Sequence, residues 1–310
     1  SFAGAEHTVE IDPEVYRGLK RLGSETGTSM FMLVHTAVAA LLTRLGAGDD
    51  LPLGAPIAGR TDDALDDLVG FFVNTLVLRT DTSGGPSFRE LLARVKDLDL
   101  AAFSHADVPF EWVVERVNPP RSPGRNPLFQ VMVGYHARET DQAFTLPGLT
   151  AEPVESDART AKFDLVFSFA EVLGAGMSCT VEFATELFDH ETIALLGRRL
   201  QTVLAALVAD PDRSIDSVDV LVGDEAERVL EAFNDTAREV DEATLPELFA
   251  RLVAEQPDAV AVVDGGHEYT YRDLDARANR IARLLAARSV GAESVVGIAI
   301  PRSVDQVAAI

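Results

Sequence analysis

Phe163-Asp164-Leu165-Val166-Phe167-Ser168-Phe169 and Met177-Ser178-Cys179-Thr180-Val181-Glu182-Phe183 are two alternating apolar runs separated by Leu173-Gly174-Ala175-Gly176. Successive strand side chains point to opposite faces, so this period of two marks half-buried strands. The glycine-rich spacer makes them a hairpin candidate. Directly behind, Asp189 supplies an N-cap, and Ile193, Leu196, Leu200, Val203 and Leu207 recur at helical spacing. Strands and helices that bury each other's apolar faces in this way predict an α/β layered lobe.

Toward the N-terminus, Asp12-Pro13 opens a helix over 12–23, with proline at its first position. Ser29 caps a second helix whose stripe is Phe31, Val34, Val38, Leu41 and Leu45, stopped at Gly46. Leu51 to Ile57 reads as a strand broken by Pro52 and Pro56. Phe71-Phe72-Val73-Asn74-Thr75-Leu76-Val77-Leu78 is apolar on both faces, which predicts a central strand. Pro86 and Ser87 open a helix carrying Phe88, Leu91, Val95, Leu98 and Ala102, and Phe110 to Val117 is a shorter one. A turn-rich stretch from Asn118 to Gly124 precedes a strand from Leu128 to Tyr135.

Toward the C-terminus, charges dominate between Asp210 and Thr244, with one short helix from Glu225 to Phe233. A second α/β pattern follows: a helix from Leu245 to Ala254, a strand from Ala259 to Val263, a helix capped by Thr270, and a strand from Val295 to Ile300. The expected organisation is a lobe over 1–222, a linker over 223–244 and a second unit over 245–310. That last unit, at about 65 residues, is near the lower limit for a self-sufficient core. The sequence begins without methionine and stops in Val307-Ala308-Ala309-Ile310, so both ends read as cut from a longer chain.

The formal net charge is -23, and Lys20, Lys96 and Lys162 are the only lysines. Such a surface repels nucleic acid and anionic membranes, so neither is an expected partner. Cys179 is the single cysteine, which excludes an internal disulfide and a thiolate cluster and suits a reducing, cytoplasmic setting. Its alternation with polar neighbours predicts a buried, inert thiol. No apolar run approaches the roughly 18 to 20 residues of a membrane span, and no signal peptide opens the chain. The six histidines lack metal-ligand spacing, so no metal is expected. Ser104, His105 and Asp107 crowd one helix end and are read as structural. For His35, beside Val34, core and groove-lining roles both stay open.

Three polar features stand out. Asn74 interrupts an apolar strand, and a buried amide is costly unless hydrogen-bonded; it either ties strands together or faces a ligand. Arg60 follows Gly59 where strand gives way to loop, with a surface ion pair to Asp62 or Asp63 as its plainer role. Arg125-Asn126-Pro127 precedes a strand, where a polar turn is the simplest account. Composition and spacing stop at a cytosolic α/β protein.

Segments spread in order along the first 222 residues add more. They are Gly54-Ala55-Pro56-Ile57-Ala58-Gly59-Arg60, Val69 to Arg79, His105 to Glu111, Arg125 to Val131, Lys162 to Leu165, and Glu182 to Asp189. Together they resemble condensation domains of nonribosomal peptide synthetases. Tyr269 to Leu274, Ala278 to Ala282, and Val296 to Arg302-Ser303 resemble the opening of an adenylation domain. The resemblance implies a lobe like chloramphenicol acetyltransferase, with a mixed sheet and flanking helices, followed by a partial adenylation domain. It implies that an acceptor amine attacks a donor thioester in a tunnel between two lobes, both reactants riding on phosphopantetheine arms of carrier domains. No adjacent histidine pair occurs, so the family's His-His-x-x-x-Asp-Gly motif falls outside this chain and no catalytic residue is expected within it.

By the same resemblance Ser29, Gly59, Arg60, Asn74, Thr75, Arg125 and Asn126 fall near the tunnel or lobe interface. Expected partners are the N-terminal lobe, donor and acceptor carrier domains, and the rest of the adenylation domain. Phosphopantetheine arrives on the carriers, and ATP with Mg belongs only to a complete adenylation domain. The 310 residues alone are expected to be inactive. An epimerization domain is an alternative, opposed by the adenylation start and by Arg125 to Phe129. A degenerate condensation-like domain that only recruits partners is the other.

Overall fold

The computed structural model describes residues 2–60, 63–65, 67–122, 124–137, 160–172, 176–240 and 242–310. Two compact units emerge, Ser1–Phe233 and Asn234–Ile310.

The first unit is built on a six-stranded sheet of order β1-β6-β5-β4-β2-β3. Its strands are β1 (Gly4–Ile11), β2 (Asp50–Ile57), β3 (Asn74–Asp81), β4 (Val131–His136), β5 (Leu165–Val172) and β6 (Gly176–Ala184). β2/β4 and β4/β5 are parallel, whereas the β1/β6, β5/β6 and β2/β3 pairs are antiparallel, so the sheet is mixed, as expected. The alternating runs form the β5–β6 hairpin, with Phe167 opposite Val181 and Phe169 opposite Cys179. Those four side chains are wholly buried. The spacer 173–175 lies outside the described residues.

Among the described residues six α-helices accompany the sheet: α1 (Pro13–Thr26), α2 (Met30–Arg44), α3 (Phe88–Phe103), α4 (Phe110–Val117), α5 (His190–Ala209) and α6 (Glu225–Leu230). Asp12, Ser29, Ser87 and Asp189 cap the first, second, third and fifth through side-chain oxygens, satisfying backbone N–H groups left open at helix starts. By length and composition α5 could cross a membrane. Here Ile193, Leu200, Val203, Leu204 and Leu207 are fully buried in the core.

Three expectations need revision. Rather than one stripe, α2 buries every residue from Met32 to Leu42, while Leu45 is exposed. Its small and apolar residues let other elements close around all its sides. Next, residues 71–78 are not a central strand. β3 starts at Asn74 and is outermost in the sheet, and Val69 and Phe71 are almost fully exposed. The ladder ends where Ile57 faces Asn74, because Gly59 turns the chain at φ 63°. A Cβ at Gly59 would collide with the Phe72 carbonyl oxygen, so this glycine admits a close backbone approach. Apolarity there reflects a surface, not two covered faces. β1, to which the sequence analysis assigns no element, pairs with β6 from Gly4–Ala184 to Ile11–Met177. Last, Val295 to Ile300 is not a strand: it has no ladder partner among the described residues, and Val295 is fully exposed.

The second unit comprises α7 (Leu245–Glu255), β7 (Val260–Asp264), β8 (His267–Thr270), α8 (Tyr271–Ala286) and α9 (Val304–Ala309). Gly265 and Gly266, both at positive φ, close the β7–β8 hairpin. Leu274, Val304 and Ala308 form its small core.

Candidate functional site

Gly59, Asn74 and Thr75 line one cleft of about 490 Å³, together with Phe71 to Val73 and Ala106, Asp107, Pro109, Phe110 and Glu111. Its walls are the end of β2, the start of β3 and the loop from α3 into α4. Asn74 joins those walls. Its Nδ2 donates to the carbonyls of Ala106 (3.0 Å) and Val108 (2.8 Å), and its Oδ1 accepts from the N–H of Thr75 (2.8 Å) and Phe110 (3.2 Å). The amide thus makes four hydrogen bonds to backbone, two in each sense, and fixes the α3–α4 loop against the strand. It ties a loop to a strand, rather than strand to strand, and its main donors and acceptors are engaged.

Arg60 holds the loop beyond β2. Its guanidinium donates to the carbonyls of Leu65 and Leu68 and lies 4.2 Å from the Phe72 ring centroid. Planar donors on a flat cation suit carbonyl capture and ring stacking at once. Asp62 lies outside the described residues. Arg60 reaches the cleft through Phe72, which lines it.

Ser29, Arg125 and Asn126 do not line the cleft. The Ser29 hydroxyl accepts from Met32 N–H at 3.2 Å as the α2 cap. Asn126 shapes the turn into β4: its Oδ1 accepts from Leu128 N–H, and its carbonyl accepts from Gln130 Nε2 at 2.7 Å. Arg125 N–H closes the same turn on the Ser122 carbonyl at 3.3 Å. That turn delivers Phe129, which meets Phe110 edge-on at 5.8 Å and stacks on Phe163 at 5.2 Å. A Cβ at Gly54 would occupy the Phe129 ring, so the glycine of Gly54-Ala55-Pro56 makes room for this anchor.

Ser104 donates its hydroxyl to the Ala101 carbonyl of its own helix and His105 is exposed, so no triad forms there. Cys179 is buried and burial alone pushes its thiol pKa up, which leaves it unreactive. His35 belongs to the core. Its Nδ1 lies 3.0 Å from Asp99 Oδ1 and its Nε2 lies 2.8 Å from Thr80 Oγ1, all three side chains being buried. Sequence reasoning singled out neither partner. The signal was there: Asp99 continues the Phe88, Leu91, Leu92, Val95 face of α3, and Thr80 continues the Leu76, Leu78 face of β3.

No group of three or more His, Cys, Asp or Glu among the described residues is placed to hold a metal. Gly265 and Gly266 form a hairpin turn rather than a loop opening a helix, so they do not fit a nucleotide phosphate.

Comparison with known proteins extends this picture. Residues 1–230 match the Condensation domain family and residues 249–310 match AMP-binding enzymes. A probable non-canonical nonribosomal peptide synthetase of Salinispora arenicola is 47% identical over the whole chain, which spans 4% of that protein. The chain spans no more than 13% of the first curated relatives it matches. Among solved structures, the X-domain of teicoplanin biosynthesis, in complex with OxyB, is 32% identical with a TM-score of 0.67, covering 71% of this chain and 49% of that one. A four-domain nonribosomal peptide synthetase bound to AMP and glycine shares the fold over 93% of this chain and 23% of its own, with a TM-score of 0.77 and 24% identity. The chain belongs to the condensation-domain family of nonribosomal peptide synthetases, a family of acyl-transfer enzymes, and continues into the start of an AMP-binding adenylation domain.

Proposed function

We propose that residues 1–222, which make up most of the first unit, are the C-terminal lobe of a peptide-bond-forming condensation domain, with 223–244 as a linker and 245–310 as the adenylation start. The cleft at Gly59, Asn74 and Thr75 is part of its substrate tunnel. In this reading the free amine of a carrier-bound aminoacyl thioester attacks the carbonyl of an upstream donor thioester. The C–N bond forms, the C–S bond breaks, and the phosphopantetheine thiol leaves with the proton that the amine gives up. The lobe contributes position: holding both reactants in register removes the entropic cost of their encounter. The observation that carries the reading is Asn74, which locks two cleft walls together in a chain of this family.

Gly59, Asn74 and Thr75 shape the tunnel wall directly, and Arg60 acts on it through Phe72. Ser29, Arg125 and Asn126 act from behind it, through the α2 start and the turn that seats Phe129. The chain holds no adjacent histidine pair, so these 310 residues alone form no amide bond. Carrier domains and the remainder of both flanking domains are the partners, in the cytoplasm.

The likeness to an X-domain solved with OxyB favours a second reading, a condensation-like module that recruits another protein without chemistry. Amide formation by the full synthetase module on carrier-bound substrates separates the two. Product that falls about tenfold or more in Asn74→Ala, at equal folded protein, supports the tunnel; a module that makes no amide yet captures a partner enzyme supports recruitment.

A further inference from the structure

The inner face of β3 carries Asn74, Leu76, Leu78 and Thr80, and Thr82 continues the same parity just beyond it. Among the described residues β3 pairs with β2 alone. Register in a strand is set by which side chains its buried face presents. Leu76 and Leu78 are poor at this, because a shift of two residues puts one leucine where the other was. The polar side chains discriminate. Thr80 meets His35 of α2, which also meets Asp99 of α3, and Thr82 Oγ1 lies 2.7 Å from Thr43 Oγ1 of α2. A two-residue slip one way would set Leu78 against the imidazole. The opposite slip would offer Thr82 to His35, yet it would strand Thr43 and carry Asn74 past the carbonyls of Ala106 and Val108.

His35, Asp99 and Thr80 are 0%, 0% and 1% exposed. Burying three such groups is no route to maximal stability, since apolar residues of similar volume commonly do as well or better. What directional hydrogen bonds add is a single arrangement. β3 is therefore laced twice: deep in the core to α2 and α3 through His35, and at the cleft to the α3–α4 loop through Asn74.

We propose that His35, with Asp99 and Thr80, is a positioning network for the cleft: it fixes the register of β3 and the run of α3, and so sets where Asn74, Thr75 and the α3–α4 loop stand. This rests on the tunnel reading above for its link to catalysis, but not for its structural content. The full synthetase module is the material to test, as wild type, His35→Leu, His35→Gln and Thr80→Val. Thr80→Val is nearly isosteric and removes one hydrogen bond, so it stays informative if His35→Leu does not fold. Backbone hydrogen exchange should accelerate about tenfold over 74–78 and 104–110 in His35→Leu and Thr80→Val, with β5 and β6 unchanged. Amide formation per folded molecule should fall by about the same factor. His35→Gln, whose amide can bridge both partners, should restore most of each. Exchange that is unchanged at those segments, or that rises evenly over the whole lobe, overturns the proposal. A wild-type module that makes no amide counts against the tunnel reading, while the exchange measurement still decides this one.

Discussion

The two units are written in the same local code and differ in what covers them. Each has a helix opened by a reciprocal capping box: Ser87 with Glu90 in the first, and Thr244 with Glu247 and Thr270 with Asp273 in the second. Each has an antiparallel hairpin, alternating in β5 and β6 but with a continuous apolar run, Val260 to Val263, in β7. Yet Phe167, Phe169, Val181 and Phe183 are fully buried in the first, whereas Val260 and Val263 of β7 are 48% and 64% exposed. Caps and apolar patterning decide which element forms. Whether its apolar face is then covered depends on partners elsewhere in the chain.

That contrast can be broken most directly in the cores. Phe167→Ala should cost the first unit about 3–5 kcal/mol, because its cavity is closed on every side. Leu274→Ala should cost the second about 2 kcal/mol, the low end for a leucine, because its surroundings can settle into the space. Denaturant titration with a probe in each unit measures both, and equal losses would erase the distinction. Within the first unit, Arg199 donates to Glu225 at 2.6 Å, and the same carboxylate accepts from Val222 N–H at 2.9 Å. Burial raises the Glu225 pKa, but the Val222 and Arg199 hydrogen bonds outweigh it and leave it below the usual 4.5. A carboxyl depressed on folding stabilises fully above its unfolded value and loses that contribution as pH falls through the lower folded one. Hydrogen-exchange protection of α6 should therefore hold at neutral pH, be lost as pH falls below the ordinary carboxylate range, and be weak at every pH in Glu225→Gln. The smallest effect belongs to the shared code. Ser87→Ala and Thr270→Ala should each cost about 1 kcal/mol in their own unit, and similar values would show that capping is indifferent to burial.

Legibility followed the same division. The β5–β6 hairpin, the starts of α1, α2, α3, α5 and α8, and the mixed α/β lobe were readable from period and cap. The Phe71 to Val73 run misled because apolarity records a preference for cover, not the presence of a ladder partner. Val295 to Ile300 misled for the same reason. Of the site, Gly59, Asn74 and Thr75 were legible and do meet in one cleft. Phe110 and Glu111 were not singled out as its wall, since only the Asn74 amide brings that loop across. Thr80 and Asp99 were hidden by being polar at apolar positions, a mismatch that becomes a signal only when three elements are brought together.

The outer position of β3 has a practical consequence. Among the described residues one edge of β3 has no strand partner, and Val69 and Phe71, shortly before it in the chain, are exposed. Such an edge invites another copy to add on. Expressed as these 310 residues, the protein should be held apart chiefly by its charge of -23. Raising salt from 0.05 to about 0.5 M, commonly done to keep samples dispersed, would screen that repulsion and should make this one self-associate.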